Sequence, residues 1–154
     1  MTREEIAKIL EAILPRVSES FDAPSPEDWK ALASRFRTRF PEDFVNFIDA
    51  LTSFEFPGDV YNIVDTGRTN GNDTIPLVHE LETKDPAWPA WLIPFYGIGN
   101  GDYFCLDARA AERSPVSYWY HERRRAEPYS PCFGDWVRGL PEFLEQPSVG
   151  DQDG

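Results

Sequence analysis

The chain has 154 residues, 41% hydrophobic and 14% aromatic, with a formal net charge of -12. This is enough to bury one core without metal or disulfides, and the charge argues against direct nucleic-acid binding, which needs clustered Lys and Arg. No apolar run approaches the roughly 18 residues of a membrane span, and "MTREEIAKIL" lacks the basic-then-apolar order of a signal segment, so a cytoplasmic protein is expected.

In chain order, Thr2 and Glu5 have capping-box spacing ahead of Ile6, Ile9, Leu10, Ile13, Leu14 and Val17, which recur at helical steps up to a break at Pro15. Ser25 and Pro26 then open a second helix with Trp29, Leu32, Ala33 and Phe36 on one side. The same device is expected at Pro41, before Phe44, Phe47, Ile48 and Leu51. The joint "RFRTRFP" carries Arg35, Arg37 and Arg39, read as a charged exposed edge.

"VYNIVD", from Val60, has strand periodicity and ends in the polar "TGRTNGNDT". "IPLVHELETKD" predicts a short helix capped by Asp73 or Thr74, with Leu77, Val78 and Leu81 as its apolar face. "AWLIPFY", "DYFCLD" and "VSYWYHE" predict three consecutive antiparallel strands. Ser130 and Pro131 predict the start of a final helix burying Phe133, Trp136, Val137 and Leu140. Together these elements predict an α+β domain over residues 1–145, a central and mostly antiparallel sheet flanked by N-terminal and C-terminal helices, followed by a flexible tail over 146–154.

The glycines of "FYGIGNGDYFCLD" do not make a phosphate loop: Gly97, Gly99 and Gly101 lead into a strand, and no Lys followed by Ser or Thr accompanies them. Ile98 and Tyr103 stand where a calcium loop needs oxygen ligands, whereas Asn100-Gly101 is a strong hairpin signal. Cys105, Cys132, His79 and His121 lack paired ligand spacing, so neither metal nor cofactor is expected and the thiols read as free. Neither histidine sits in a nucleophile-base arrangement, and His121 and Glu122, as neighbours in a strand, point to opposite faces; no catalytic residue is predicted.

Charge is concentrated in residues 40–108, where twelve acids face only Arg68 and Lys84, for a net of -10. This block reads either as a solubilising surface or as a face that steers a basic partner. In "YWYHE", Tyr118 and Tyr120 share one strand face and Trp119 and His121 the other; one face belongs to the core, and the other is either covered by helices or left as an aromatic binding surface.

The order of these motifs resembles the SUKH superfamily, also called the Smi and Knr family. The resemblance rests on Phe40-Pro41-Glu42-Asp43-Phe44 with Phe47-Ile48, on Gly99-Asn100-Gly101-Asp102 with Leu106-Asp107, on Pro115-Val116 with Trp119 and His121-Glu122, and on Phe133, Trp136 and Val137. It spans about residues 26 to 144. Ile98 and Tyr120 stand where acids are common in the family. The resemblance implies a non-catalytic immunity protein that binds and neutralises a cognate bacterial toxin, often a nuclease; a regulatory or scaffold module is the alternative. Glu80, Glu82, Asp102, Trp119 and Glu122 are the candidate contacts for a basic toxin, made by a monomer or weak dimer. Asp102→Lys is then expected to slow association with little effect on stability.

Overall fold

Thr2 and Glu5 close the expected capping box: the Thr2 hydroxyl accepts from the Glu5 N–H at 3.1 Å, and the Glu5 carboxylate accepts from the Thr2 N–H at 3.2 Å. In the computed structural model, which describes residues 1–63, 73–110 and 113–145, this box starts α1 (Arg3–Ile13). Leu14 is already extended, as a residue before proline must be, and Ile6 and Leu10 are buried. A second capping box, Ser25 with Asp28, starts α2 (Pro26–Phe36), with Pro26 inside the first turn. α3 (Glu42–Leu51) differs from expectation: Pro41 occupies its N-cap, with no side-chain hydrogen bond.

Arg37 terminates α2 in the left-handed region at φ 53°, ψ 44°. That conformation costs an L-residue roughly 1 kcal/mol, and glycine, which adopts it freely, loses more entropy on folding. Arg37→Gly is therefore expected to stabilise the protein by about 0.5 kcal/mol, read as a higher urea midpoint with an unchanged slope.

Five strands form one antiparallel sheet in sequence order: β1 (Asp59–Val60), β2 (Leu92–Gly97), β3 (Tyr103–Asp107), β4 (Val116–Tyr120) and β5 (Arg125–Ser130). α4 (Ile75–Glu82) lies between β1 and β2, and α5 (Phe133–Arg138) and α6 (Leu140–Glu145) close the described chain. β1 is shorter than "VYNIVD" predicts: the Tyr61 N–H still donates to Phe95 O of β2 at 3.0 Å, but the Asn62 N–H turns to Asp73 O instead, and Val64 and Asp65 lie outside the described residues. Most of "TGRTNGNDT" and the tail over 146–154 also lie outside them.

β5 is a strand that the sequence does not announce. "RAEPYS" has no apolar alternation and is half exposed; pairing with β4 across the turn after Tyr120 imposes its extended form. Ser130 consequently belongs to this strand and caps nothing. α5 instead starts after Cys132 without a side-chain cap, and Gly139 separates it from α6, so the single final helix expected is two short ones.

One sheet face carries the main core. Phe95 and Phe104 meet Trp136 at 5.0 and 5.5 Å between ring centroids, and Phe44 and Phe47 of α3 pack against Phe133 at 5.2 and 5.5 Å. The opposite face holds a smaller cluster of Trp88, Leu92, Cys105 and Trp119, covered by the segment before β2. Trp88 lies 4.5 Å from Trp119 and donates its indole N–H to Leu92 O at 3.0 Å. Burial of these large side chains on both faces, at about 1.5–3 kcal/mol each, holds the sheet between its layers.

Candidate partner-binding face

The β2–β3 connection is a five-residue loop, 98–102, where a two-residue Asn-Gly turn was expected. The positive φ values fall on Gly99 (98°) and Gly101 (94°), and Asn100 instead accepts the Asp102 N–H through its side chain at 2.9 Å. A side chain at Gly101 would be strained by this φ and tight against His121 Cγ, which would lie 3.0 Å from an added Cβ.

The loop delivers Asp102 into an internal network. One carboxylate oxygen lies 2.8 Å from both the His121 N–H and His121 Nδ1, and the other accepts the Tyr118 hydroxyl at 2.8 Å. Only 12% of the side chain remains exposed. Burial pushes the carboxyl pKa up, but the backbone and ring donors of His121 and the Tyr118 hydroxyl outweigh it and hold the group below its ordinary range. Asp102 thus ties the loop to the end of β4, so its replacement is now expected to cost stability, against the sequence reading.

Trp119 is also corrected as an exposed anchor. It points to the minor face of the sheet under Trp88 and is 3% exposed. Glu122 is exposed in the turn after β4, beside three successive arginines. Arg124 pairs with Asp85, holding that carboxyl down to about 2, and Arg125 donates to Glu127 at 2.6 Å.

Glu80 and Glu82 lie on α4, whose phase differs from the sequence reading. Thr74 caps the helix by accepting the Leu77 N–H at 3.2 Å. At 100° per residue, Ile75, Val78, His79 and Glu82 share the inward side. Ile75 and Val78 are buried, His79 Nε2 meets Ala90 O at 2.8 Å, and Glu82 accepts the Tyr103 hydroxyl at 2.6 Å. Leu77 and Leu81, expected inside, therefore face outward at 42% and 50% exposure, one turn apart, with Glu80 between them.

Acids gather beside this helix. Asp59, Asp73 and Glu82 all lie close enough to Tyr61 to add to the effect of its burial, which together push its hydroxyl up to about 12. Burial and the Glu82 carboxylate likewise push Tyr103 upward. The structure thus brings Glu82 together with Asp59 and Asp73 around Tyr61 on the inward side of α4, and leaves Glu80 with two outward leucines on the other side. The inward demands of His79 and Glu82, each with a specific polar partner, were the missed signal.

Among the described residues no group of three or more His, Cys, Asp or Glu is placed to hold a metal ion. A cleft of about 340 Å³ lined by Phe21, Phe54, Phe56 and Tyr61 contains neither histidine nor cysteine. Cys105 is buried and free, and burial pushes its thiol well up. No helix among the described residues is long and apolar enough to cross a membrane.

The SUKH_5 family, described as SMI1-KNR4 cell-wall, matches residues 3–143. The chain belongs to this family. SUKH_5 and its SMI1-KNR4 relatives are non-catalytic modules generally linked to toxin-immunity systems. The crystal structure of a protein from Pseudomonas syringae pv. tomato has the same fold, with a TM-score of 0.63 at 18% identity over 89% of this chain and 96% of that one. No functionally curated protein matches the sequence.

Proposed function

We propose that this SUKH_5 protein is an immunity protein, acting in the cytoplasm as a monomer or weak dimer, that neutralises a cognate toxin by one-to-one binding through the outward face of α4. The observation that carries this reading is the pair Leu77 and Leu81, left 42% and 50% exposed on a helix whose inward side is fully engaged. An apolar pair edged by Glu80 has the character of an interface centre with a charged rim, and the Asp59, Asp73 and Glu82 carboxylates gathered around Tyr61 add to the negative field of the protein. A basic nuclease cleft built for phosphates suits that rim, because carboxylates can take the phosphate positions and the field accelerates encounter.

The test is co-expression with the product of the adjacent gene, scored as rescue from toxicity and as a co-purified complex. Rescue supports the reading; capture of a host protein with no rescue from any neighbouring toxin supports the scaffold alternative. Within the complex, Glu80→Lys is expected to slow association by about tenfold at low salt and much less in high salt, with little change in dissociation. Stopped-flow association across a salt series checks this, and a salt-independent deficit counts against electrostatic steering.

A further inference from the structure

Two neighbouring arginines at the end of α2 meet a third, more than 70 positions later, on a different part of the surface. Arg35 and Arg37, from the end of α2, and Arg109, just after β3, line an open cleft of about 510 Å³ with Phe36, His79 and Trp91. Its composition runs against the net charge of -12 carried by the whole chain. Arg109 stacks its guanidinium 3.4 Å over the Trp91 ring and is held there by two bonds to Asp107, at 3.1 and 3.0 Å. Asp107 therefore compensates Arg109 and fixes it as a flat wall.

The other two cations are not neutralised in this way. Among the described residues Arg35 makes only a long contact of 3.5 Å to the Pro76 carbonyl, and Arg37 has no ion-pair partner. His79 adds no charge at neutral pH: burial, aided by Arg35 and opposed by the Ala90 carbonyl, holds its pKa below the ordinary value. Arg37 also holds a left-handed backbone at φ 53°, where glycine would be easier.

We propose that this cleft, which borders α4 at Pro76 and His79, binds the carboxylates of an acidic segment of a protein partner. Two guanidinium forks without an ion-pair partner among the described residues match carboxylates bidentately, and Phe36 and the Arg109 guanidinium stacked on Trp91 offer flat walls to the stems of the bound side chains. A polyanion such as RNA is disfavoured, because its phosphates extend beyond the cleft into the field of a protein with net charge -12. A short acidic segment presents its charge only where the arginines stand.

The experiment titrates the isotope-labelled full chain with an acetylated hexapeptide of glutamate and tyrosine, following the Trp91 indole and Arg109 Nε signals by NMR. Inorganic phosphate and a single-stranded RNA oligonucleotide form the comparison arms. A saturable shift is expected, weakened by about tenfold in Arg35→Glu and also in Arg37→Gly. Arg37→Gly separates binding from folding, since it is expected to be the more stable protein. Absence of saturation, indifference to both arginine variants, or tighter binding of phosphate or RNA than of the peptide would overturn the proposal.

Discussion

Asp102→Ala is expected to cost about 2–3 kcal/mol of folding stability, read as a lower urea midpoint. The variant leaves the Tyr118 hydroxyl and the His121 N–H, each 2.8 Å from the lost carboxylate, without their acceptor in a partly buried site. Hydrogen bonds to a charged group contribute roughly 1.5–3 kcal/mol each, but three donors sharing one carboxylate are not additive, and residual solvent reduces the loss. Asp102→Asn retains one carbonyl acceptor and is expected to lose about half as much; Asp102→Lys buries a cation against these donors and is expected to be worse than alanine. The dependence on pH has a definite sign. The folded carboxyl lies below its ordinary value, so its contribution is fully present above the unfolded value of about 3.9 and is lost as pH falls through the folded one. The gap between wild type and Asp102→Ala should therefore narrow below about pH 4. A gap that persists to the lowest measurable pH, or no destabilisation at neutral pH, would return Asp102 to the exposed surface where its sequence position in an acidic block placed it.

What could be read from the sequence was what local chemistry decides. Thr2 with Glu5 and Ser25 with Pro26 set helix starts through contacts three residues apart, and the structure shows both. Strands β2, β3 and β4 carry enough aromatic and β-branched residues to declare themselves, and the spacing of Gly99-Asn100-Gly101-Asp102 with Leu106-Asp107 carried the family resemblance. The features that escaped depend on partners distant in the chain. β5 is extended because β4 pairs with it. Trp119 looks like a free aromatic until Trp88, 31 positions earlier, closes over it. The phase of α4 is fixed by Ala90 and Tyr103, which draw His79 and Glu82 inward and turn two leucines out. Hydrophobicity alone favours a different phase, in which both leucines join Val78 on the inward side.

Leu77→Ser combined with Leu81→Ser is expected to weaken binding of the cognate toxin by about 100-fold while leaving the urea midpoint within the error of the wild type. The first expectation follows from burying two half-exposed leucines at the centre of an interface, at about 25 cal/mol per Å² of apolar surface removed from water, where truncation of central anchors dominates affinity. The second follows from their outward position: the inward side of α4 is already held by Ile75, Val78, the His79 bond to Ala90 and the Glu82 bond to Tyr103, none of which the substitutions touch. Because the loss arises from apolar contact, it should appear in the dissociation rate and survive high salt, unlike the association defect of Glu80→Lys. This kinetic separation makes the two variants a joint test. A double variant that unfolds would mean that the leucines pack within the chain. One that folds and binds normally would remove α4 from the interface, leaving the toxin to engage another surface.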